Sequence, residues 1–286
     1  MTNAMRQRSV QCLNPSGLHD MTYVEWGDPA NPALLVCVHG LTRCGRDFDF
    51  LAAALCDRYR VICPDVVGRG RSDWLPDKSN YVIRQYCADM MTLLARADAG
   101  SVHWLGTSMG GIIGMALAAL PKTPISRLVL NDVGPVITAA AIARIGQFLG
   151  EAPRFGSLQE AEAYVRQVSA PFGNLTDAQW RHLTVHTQRA TADGGFEMAY
   201  DPGIVVPYRS EMGEGKDVEL WPVYDAVRCP TLVLRGADSD LLTASTAQQM
   251  SGRGPKAKVV EIAHVGHAPA LMDSAQISVV REFLIG

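Results

Sequence analysis

The sequence lacks a charge imbalance and a long apolar run, and each absence removes a class of partner. Its 26 Lys and Arg residues face 29 Asp and Glu, for a net charge of -3. That balance gives no electrostatic basis for binding nucleic acid or an anionic membrane. No stretch approaches the roughly 20 apolar residues that a membrane helix needs. The first eight residues, MTNAMRQR, are polar, unlike the start of a signal peptide. We therefore expect no nucleic-acid or membrane partner.

Paired cysteines and metal or phosphate motifs are also missing. The seven cysteines are odd in number, scattered, and without Cys-x-x-Cys spacing, which predicts reduced thiols and a cytoplasmic protein. His182 and His186 are four residues apart but belong to no His-Glu-x-x-His pattern, and we expect them to pack or face solvent. The run Gly68–Ser72, GRGRS, lacks the Gly-Lys-Ser end of a phosphate loop. The sequence thus predicts neither a metal nor an organic cofactor.

What the chain does contain is a serine between a predicted strand and a predicted helix. The apolar residues 101–105 indicate a buried strand, and residues 112–119 are compatible with a helix. Between them, Gly106–Gly111 reads GTSMGG, with Ser108 at the centre of Gly-x-Ser-x-Gly. Glycines on both sides allow the sharp turn that lifts a serine hydroxyl above a sheet. The pattern predicts that Ser108 is a nucleophile.

A nucleophilic serine needs a base and an acid that orients the base. We predict His267 as the base, because it follows a strand over 258–262 in a Gly-His-Ala-Pro loop. His264 is a weaker candidate for the base, because it stands one step after the same strand and no glycine precedes it. Three aspartates follow strands and are candidates for the acid: Asp238 and Asp240 after 231–235, and Asp132 after 127–130.

These motifs identify a resemblance to the α/β-hydrolase superfamily over nearly the whole chain. Residues 36–41, VCVHGL, are similar to its strand and His-Gly turn, and residues 65–72 match its Asp-x-x-Gly-x-Gly-x-Ser loop. The resemblance implies an oxyanion hole formed by the backbone N–H groups of Leu41 and Met109, with His39 shaping the turn. The usual acid position is occupied here by Ser239. A subset of similar bacterial sequences places its carboxylate where Asp240 stands, so we predict Asp240, with Asp238 and then Asp132 as alternatives.

The alternation of strand and helix patterns predicts an α/β fold, a mostly parallel central sheet with helices on both faces. It fails between about 134 and 225, where helices are predicted over 139–149, 158–168 and 176–187. We interpret 1–133 and 226–286 as two parts of the hydrolase core and 134–225 as an inserted, mainly helical cap. Aromatic residues of this cap are candidates to line the substrate pocket: Phe148, Phe172, Trp180 and Tyr208.

The combined pattern predicts a cofactor-free serine hydrolase of small carboxylic esters that acts through an acyl-enzyme. Esters, lactones and hydroxyacid oligomers are all compatible substrates. A serine at the elbow disfavours haloalkane and epoxide chemistry, for which similar proteins use aspartate. Two alternatives stay open: a C–C bond hydrolase of ring-cleavage diketones on the same residues, and a ligand-binding protein without activity. Either a monomer or a homodimer is compatible with the sequence.

Overall fold

The computed structural model describes residues 5–98, 100–211 and 215–286. Residues 1–4, half of the polar start considered above, and residues 212–214 of the predicted cap lie outside the described residues. None of the described helices is both long and apolar enough to cross a membrane. The first half of the chain alternates strands and helices in this order: β1 (Arg6–Asn14), β2 (Gly17–Trp26), β3 (Leu34–Val38), α1 (Asp49–Leu55), β4 (Arg60–Pro64), α2 (Ile83–Ala97), β5 (Val102–Thr107), α3 (Met109–Ala118) and β6 (Ile125–Asn131).

Eight strands form one sheet in the order β1-β2-β4-β3-β5-β6-β12-β13, where β12 is Thr231–Gly236 and β13 is Lys258–Ile262. The pairs β1–β2 and β2–β4 are antiparallel, and the remaining neighbours are parallel. The predicted mostly parallel sheet is therefore confirmed. In a parallel sheet the carboxyl ends of the strands share one edge, so β5, β6, β12 and β13 all deliver the loops that follow them to the same place.

Helices cover both faces of the sheet. Successive strand residues point to opposite faces, so each strand contributes side chains to both layers of packing. In β3, Leu34, Val36 and Val38 join a core cluster with residues of α2 and α3. Leu35 and Cys37 join a second cluster with residues of α1 and of a C-terminal helix (Ser274–Ile285). Apolar side chains on both faces explain why the central strands are continuous hydrophobic runs in the sequence.

Residues 132–230 connect β6 to β12 and contain most of the predicted cap. They hold β7 (Val136–Ile137), α4 (Ala139–Phe148), β8 (Arg154–Phe155), α5 (Leu158–Val168), α6 (Asp177–Thr187), β9 (Gln188–Ala190), β10 (Phe196–Met198), α7 (Val205–Glu211), β11 (Val218–Glu219) and α8 (Trp221–Ala226). The three predicted helices are confirmed. After β12 come α9 (Ala244–Gly252), β13 and α10, the helix over Ser274–Ile285.

Local capping explains where two of these helices begin. The Thr138 side chain accepts a hydrogen bond from the backbone of Ala141 at the start of α4. At the start of α6, Thr176 and Gln179 form a reciprocal capping box. Residues 193–219 are rich in glycine, proline and charged residues, and their described part holds only short elements, two of them strands of two or three residues.

Backbone and side-chain contacts fasten the segment between β6 and β12 to the loop after β4. The Gly70 N–H donates to Ala199 O at 2.7 Å, and the Asp201 N–H donates to Gly68 O at 2.8 Å. The buried carboxylate of Asp201 also accepts a hydrogen bond from the Tyr81 hydroxyl at 2.6 Å. The Asp-x-x-Gly-x-Gly-x-Ser loop is thus a joint between the sheet and the segment above it.

Candidate active site

Ser108 stands at a sharp turn between β5 and α3. Its backbone has φ 52° and ψ −116°, a strained conformation for a residue with a side chain. A Cβ at Gly106 would lie 2.1 Å from Gly110 O, and one at Gly110 would lie 2.0 Å from Val38 O. Only glycine fits at either position. The two glycines that suggested a nucleophile elbow are therefore required by the close approach of α3 to the strands.

His267 lies between Ser108 and a carboxylate. Its Nε2 atom is 2.9 Å from Ser108 Oγ, and its Nδ1 atom is 2.7 Å from Asp132 Oδ2. Since the carboxylate can only accept, Nδ1 carries the proton, and Nε2 is left to accept the serine proton. The loop that carries His267 is held by the Gly266 N–H, which donates to Pro171 O at 2.7 Å.

Asp132 reaches this position because it follows β6 directly. Its backbone is left-handed, with φ 53°, and its side chain is completely buried. The Oδ1 atom accepts the Gly236 N–H at 2.8 Å, and Oδ2 accepts the Ser239 hydroxyl at 2.6 Å in addition to His267. Three donors compensate for the removal of the carboxylate from water and fix its orientation.

The expectation that Asp240 contacts His267 is corrected by this geometry. Asp240 is exposed, and its carboxylate forms a two-pronged ion pair with Arg144, in which one nitrogen–oxygen distance is 2.9 Å. Asp238 is exposed as well, and its backbone N–H donates to Val265 O. Between these two aspartates, the buried Ser239 turns inward toward Asp132. The neighbouring strand β6 supplies the carboxylate that the loop after β12 does not.

The turn after β3 brings Gly40 and Leu41 close to Ser108. A methyl group on Gly40 would lie 3.7 Å from Ser108 Cβ, so Leu41 follows in the immediate vicinity of the hydroxyl. Met109 is the first residue of α3, where a backbone N–H has no partner within the helix. Among the described hydrogen bonds, the N–H of neither Leu41 nor Met109 finds an acceptor. Both predicted oxyanion donors are therefore close to Ser108.

His39 shapes this turn from below and does not face a substrate. It is fully buried, with Nδ1 donating to Gly40 O at 2.7 Å and Nε2 accepting the Val66 N–H at 2.9 Å. Burial lowers the pKa of His39 to about 4. The imidazole is neutral at physiological pH and joins the turn after β3 to the loop after β4.

Arg69 is a buried cation beside both predicted oxyanion donors. Its Nε donates to Leu41 O at 2.8 Å, and its Nη1 donates to Val67 O at 2.8 Å and to the Tyr86 hydroxyl at 2.9 Å. Its Nη2 lies 3.7 Å from Met109 Sδ. Among the described residues, no carboxylate comes within ion-pair distance of this guanidinium. The contact of Arg69 with the turn after β3 was not predicted from the sequence.

Two cavities meet at Ser108 and Leu41. The first, which we call the apolar chamber, encloses about 690 Å³ including its open side and is lined by aliphatic and tyrosine side chains, among them Tyr208. The second, the arginine chamber, encloses about 940 Å³ and contains His267, Phe148, Phe172 and two arginines. Three of the four predicted pocket residues therefore face these cavities.

Trp180 is the exception. It lines neither cavity and packs with Val165, Leu183 and Met272 in a small separate cluster, only 7% exposed. The Arg166 guanidinium covers its ring at 5.6 Å. Its prediction as a pocket residue is corrected: it holds α5 and α6 together.

In the part of the chain that the structure describes, two groups of side chains have metal-ligand chemistry, and both are engaged in contacts with the protein. His182 and His186 lie near Asp49, but the Asp49 carboxylate binds Arg46, and His182 Nε2 is 3.0 Å from Arg46 O. A positively charged guanidinium on the carboxylate opposes a dication there. The second group comprises Cys12, His19 and Asp89, in which His19 Nε2 already contacts Asp89 Oδ2 at 3.1 Å.

Asn131 is a site residue that sequence reasoning missed. Its side-chain amide donates to Thr107 Oγ1 and to Pro269 O, both at 2.9 Å, and its backbone carbonyl accepts the Ser108 N–H at 3.0 Å. It therefore ties the Ser108 turn to the His267 loop. The only sequence signal was its place at the end of a strand beside Asp132.

Comparison with known proteins agrees with this architecture. Residues 35–280 match the model of a family described as the alpha/beta hydrolase family. The chain is 49% identical, over the full length of both proteins, to a 3-hydroxybutyrate-oligomer hydrolase of Cupriavidus necator. It also resembles the structure of a Rickettsia typhi protein (TM-score 0.90, 34% identity, 98% of each chain) and of an alpha/beta hydrolase from Novosphingobium aromaticivorans (0.87, 33%, 99% of each). The chain belongs to the alpha/beta hydrolase family and is a hydrolase.

Proposed function

We propose that this protein hydrolyses carboxylic esters through an acyl-enzyme formed on Ser108, with His267 as base and Asp132 as orienting acid. The observation that carries the proposal is the continuous hydrogen-bonded line from Ser108 Oγ through His267 to Asp132, with distances of 2.9 and 2.7 Å. A nucleophile, a base of fixed tautomer and a buried carboxylate are the parts that acyl transfer requires.

In the first half of the reaction, Ser108 Oγ attacks the ester carbonyl carbon while its proton passes to His267 Nε2. The carbonyl oxygen becomes an oxyanion, which the N–H groups of Leu41 and Met109 bind; one such donor contributes about 3–4 kcal/mol to the transition state. As the C–O bond breaks, His267 returns the proton to the departing alcohol. Asp132 stabilises the imidazolium throughout.

In the second half, water replaces the alcohol. His267 accepts a proton from the water as its oxygen attacks the acyl carbon, and the second tetrahedral oxyanion forms against the same two N–H groups. The bond to Ser108 Oγ then breaks, and the proton on His267 passes back to the serine. The products are a carboxylic acid and an alcohol, and every group of the protein is restored.

Esters of short hydroxy acids are the proposed substrate class. The support is the 49% identity, over the full length of both chains, to the 3-hydroxybutyrate-oligomer hydrolase. Both cavities also suit short units, since Ile145 lines each of them, Tyr208 lines the apolar chamber and Phe172 lines the arginine chamber. We further propose that segment 134–225 acts as the cap over the site, since α4 and α5 contribute to the walls of these cavities.

The test is release of monomer from a linear 3-hydroxybutyrate trimer by wild type and Ser108→Ala. Ser251→Ala, which changes an exposed serine on α9, is the matched control. We expect wild type and the control to release monomer at equal rates and Ser108→Ala to lose at least 10³-fold. Failure of folded wild type to cleave the trimer or any p-nitrophenyl ester would overturn the proposal in favour of C–C hydrolysis or ligand binding.

A further inference from the structure

We infer that the two chambers divide an ester substrate by charge, and that Arg43 and Arg144 bind a free carboxylate on its alcohol part. The inference rests on the proposed ester hydrolysis and deepens it by assigning a direction to the substrate. It makes a linear hydroxy-acid oligomer with a free acid end the preferred ligand, cleaved near that end.

The two chambers differ in the charge of the side chains that line them. The described lining of the apolar chamber presents no charged side chain, and its tyrosine hydroxyls are already engaged: that of Tyr81 with Asp201, that of Tyr86 with Arg69, and that of Tyr208 with Ile142 O. Among the described residues, the lining of the arginine chamber includes two guanidinium groups and no carboxylate. A carboxylate would lose its hydration without compensation in the first chamber and would find donors in the second.

The position of the leaving group decides which part of the substrate occupies each chamber. His267 must give its proton to the departing alcohol oxygen, so the alcohol part lies on the side of the serine that His267 faces. His267 lines the arginine chamber and not the apolar one, whereas Met109, a proposed oxyanion donor, lines only the apolar chamber. The acyl part therefore occupies the apolar chamber and the alcohol part the arginine chamber.

Arg43 lies close enough to Ser108 to contact the alcohol part of the substrate. A methyl group on Gly40 would lie 3.7 Å from Ser108 Cβ and 3.8 Å from Arg43 Cγ, so the Arg43 side chain starts beside the nucleophile. In a 3-hydroxy acid, only two carbon atoms, C3 and C2, separate the hydroxyl oxygen from the carboxyl carbon. One hydroxy-acid unit beyond the scissile bond thus brings a carboxylate within range of the Arg43 guanidinium.

Both arginines already bind a carboxylate of the protein, so a substrate carboxylate must use the N–H donors that remain. Arg43 uses Nε and Nη2 on Asp47, at 2.8 and 2.7 Å, and Arg144 uses Nε and Nη2 on Asp240. A guanidinium has five N–H donors, so the Nη1 edge of each remains for a ligand. Asp47 and Asp240 also hold each planar fork in position, which reduces the entropy lost when a ligand binds.

The test compares kcat/KM for the 3-hydroxybutyrate trimer with a free carboxyl end and for the same trimer as its methyl ester. Hydrogen bonds to charged groups predict that wild type prefers the acid by about 10- to 100-fold. Arg144→Gln and Arg43→Gln should each reduce that preference toward unity, chiefly through KM. Arg281→Gln is the matched control, since Arg281 forms a similarly exposed fork with Asp57 and should keep the wild-type preference.

The outcomes separate this inference from the proposed function. Equal cleavage of acid and methyl ester by wild type, abolished by Ser108→Ala, would overturn the charge division and leave ester hydrolysis intact. Loss of preference in Arg281→Gln as well as in Arg144→Gln would also contradict the inference. If neither trimer is cleaved by the folded protein, the proposed function itself fails. Thermal unfolding of each variant establishes that it is folded, and Arg144, the more exposed arginine, gives the decisive variant if Arg43→Gln is unstable.

Discussion

Replacing Asp132 by asparagine should lower kcat on a neutral ester about 10⁴-fold, which corresponds to about 5 kcal/mol of transition-state stabilisation. The carboxylate accepts on both oxygens, from Gly236 at Oδ1 and from His267 and Ser239 at Oδ2. An amide has only one accepting atom, so its NH₂ group must meet a donor on one side. The Gly236 N–H cannot be removed, whereas the imidazole can change tautomer.

The amide NH₂ will therefore face His267, and the ring proton will move to Nε2. A protonated Nε2 cannot accept the hydroxyl proton of Ser108, which explains the loss of kcat with little change in the binding of substrate. Asp240→Asn provides the comparison: it breaks an ion pair with Arg144 that is about half exposed, and such pairs contribute at most about 1 kcal/mol to stability. Its kcat on a neutral ester should stay within about threefold of wild type.

The assay is steady-state hydrolysis of p-nitrophenyl butyrate by both variants, with thermal unfolding to verify the fold. If Asp132→Asn retains more than a tenth of the wild-type kcat, the assignment of the acid is refuted. The same conclusion follows if Asp240→Asn is the variant that loses activity, because Asp240 would then have to leave Arg144 and turn toward His267.

Two further predictions concern the oxyanion turn. Arg69→Met should lower kcat by about 10- to 100-fold with KM nearly unchanged, because Leu41 O and Val67 O lose a buried donor and the turn loosens. Arg69→Lys should recover part of the loss. A kcat within twofold of wild type in Arg69→Met would contradict this role of Arg69. His39 has a folded-state pKa of about 4 against 6.5 unfolded, so it removes stability as the pH falls from 6.5 to 4, by about 3 kcal/mol in full. His39→Gln should therefore flatten the pH dependence of the unfolding free energy in that range, and an unchanged slope would refute the assignment.

The meeting of Ser108 and His267 was predictable because each residue belongs to a local sequence pattern. A strand, a glycine-flanked serine and a helix follow one another within about 20 residues, and the steric demands at Gly106 and Gly110 explain why that pattern is specific. His267 likewise belongs to a short loop after a strand. Motifs of this kind need no knowledge of distant residues.

The acid was not predictable in the same way. The strands that precede Asp132 and Asp240 are neighbours in the sheet, so both loops end near His267 and the sequence offers both carboxylates. The left-handed backbone of Asp132 turns its side chain inward, and the Arg144 ion pair draws Asp240 outward. The first depends on sheet geometry and the second on a residue of α4, 96 positions away.

Pocket residues were predicted only as far as composition allows. Phe148, Phe172 and Tyr208 face the cavities, whereas Trp180 packs between α5 and α6. Which face of a helix meets the cavity is decided by how the helices of the segment pack on each other. The α6 sequence does not state this, because an apolar side chain such as that of Trp180 can pack either against a neighbouring helix or into a cavity.

The most direct test of the account is labelling with a fluorophosphonate, followed by mass spectrometry of the intact protein and of its peptides. We predict one adduct per chain, located on Ser108, formed by wild type and by Asp240→Asn. Formation should be slowed at least 10³-fold in His267→Ala and in Asp132→Asn. An adduct on another residue, or labelling of Ser108 that proceeds equally well without His267, would contradict the proposed relay.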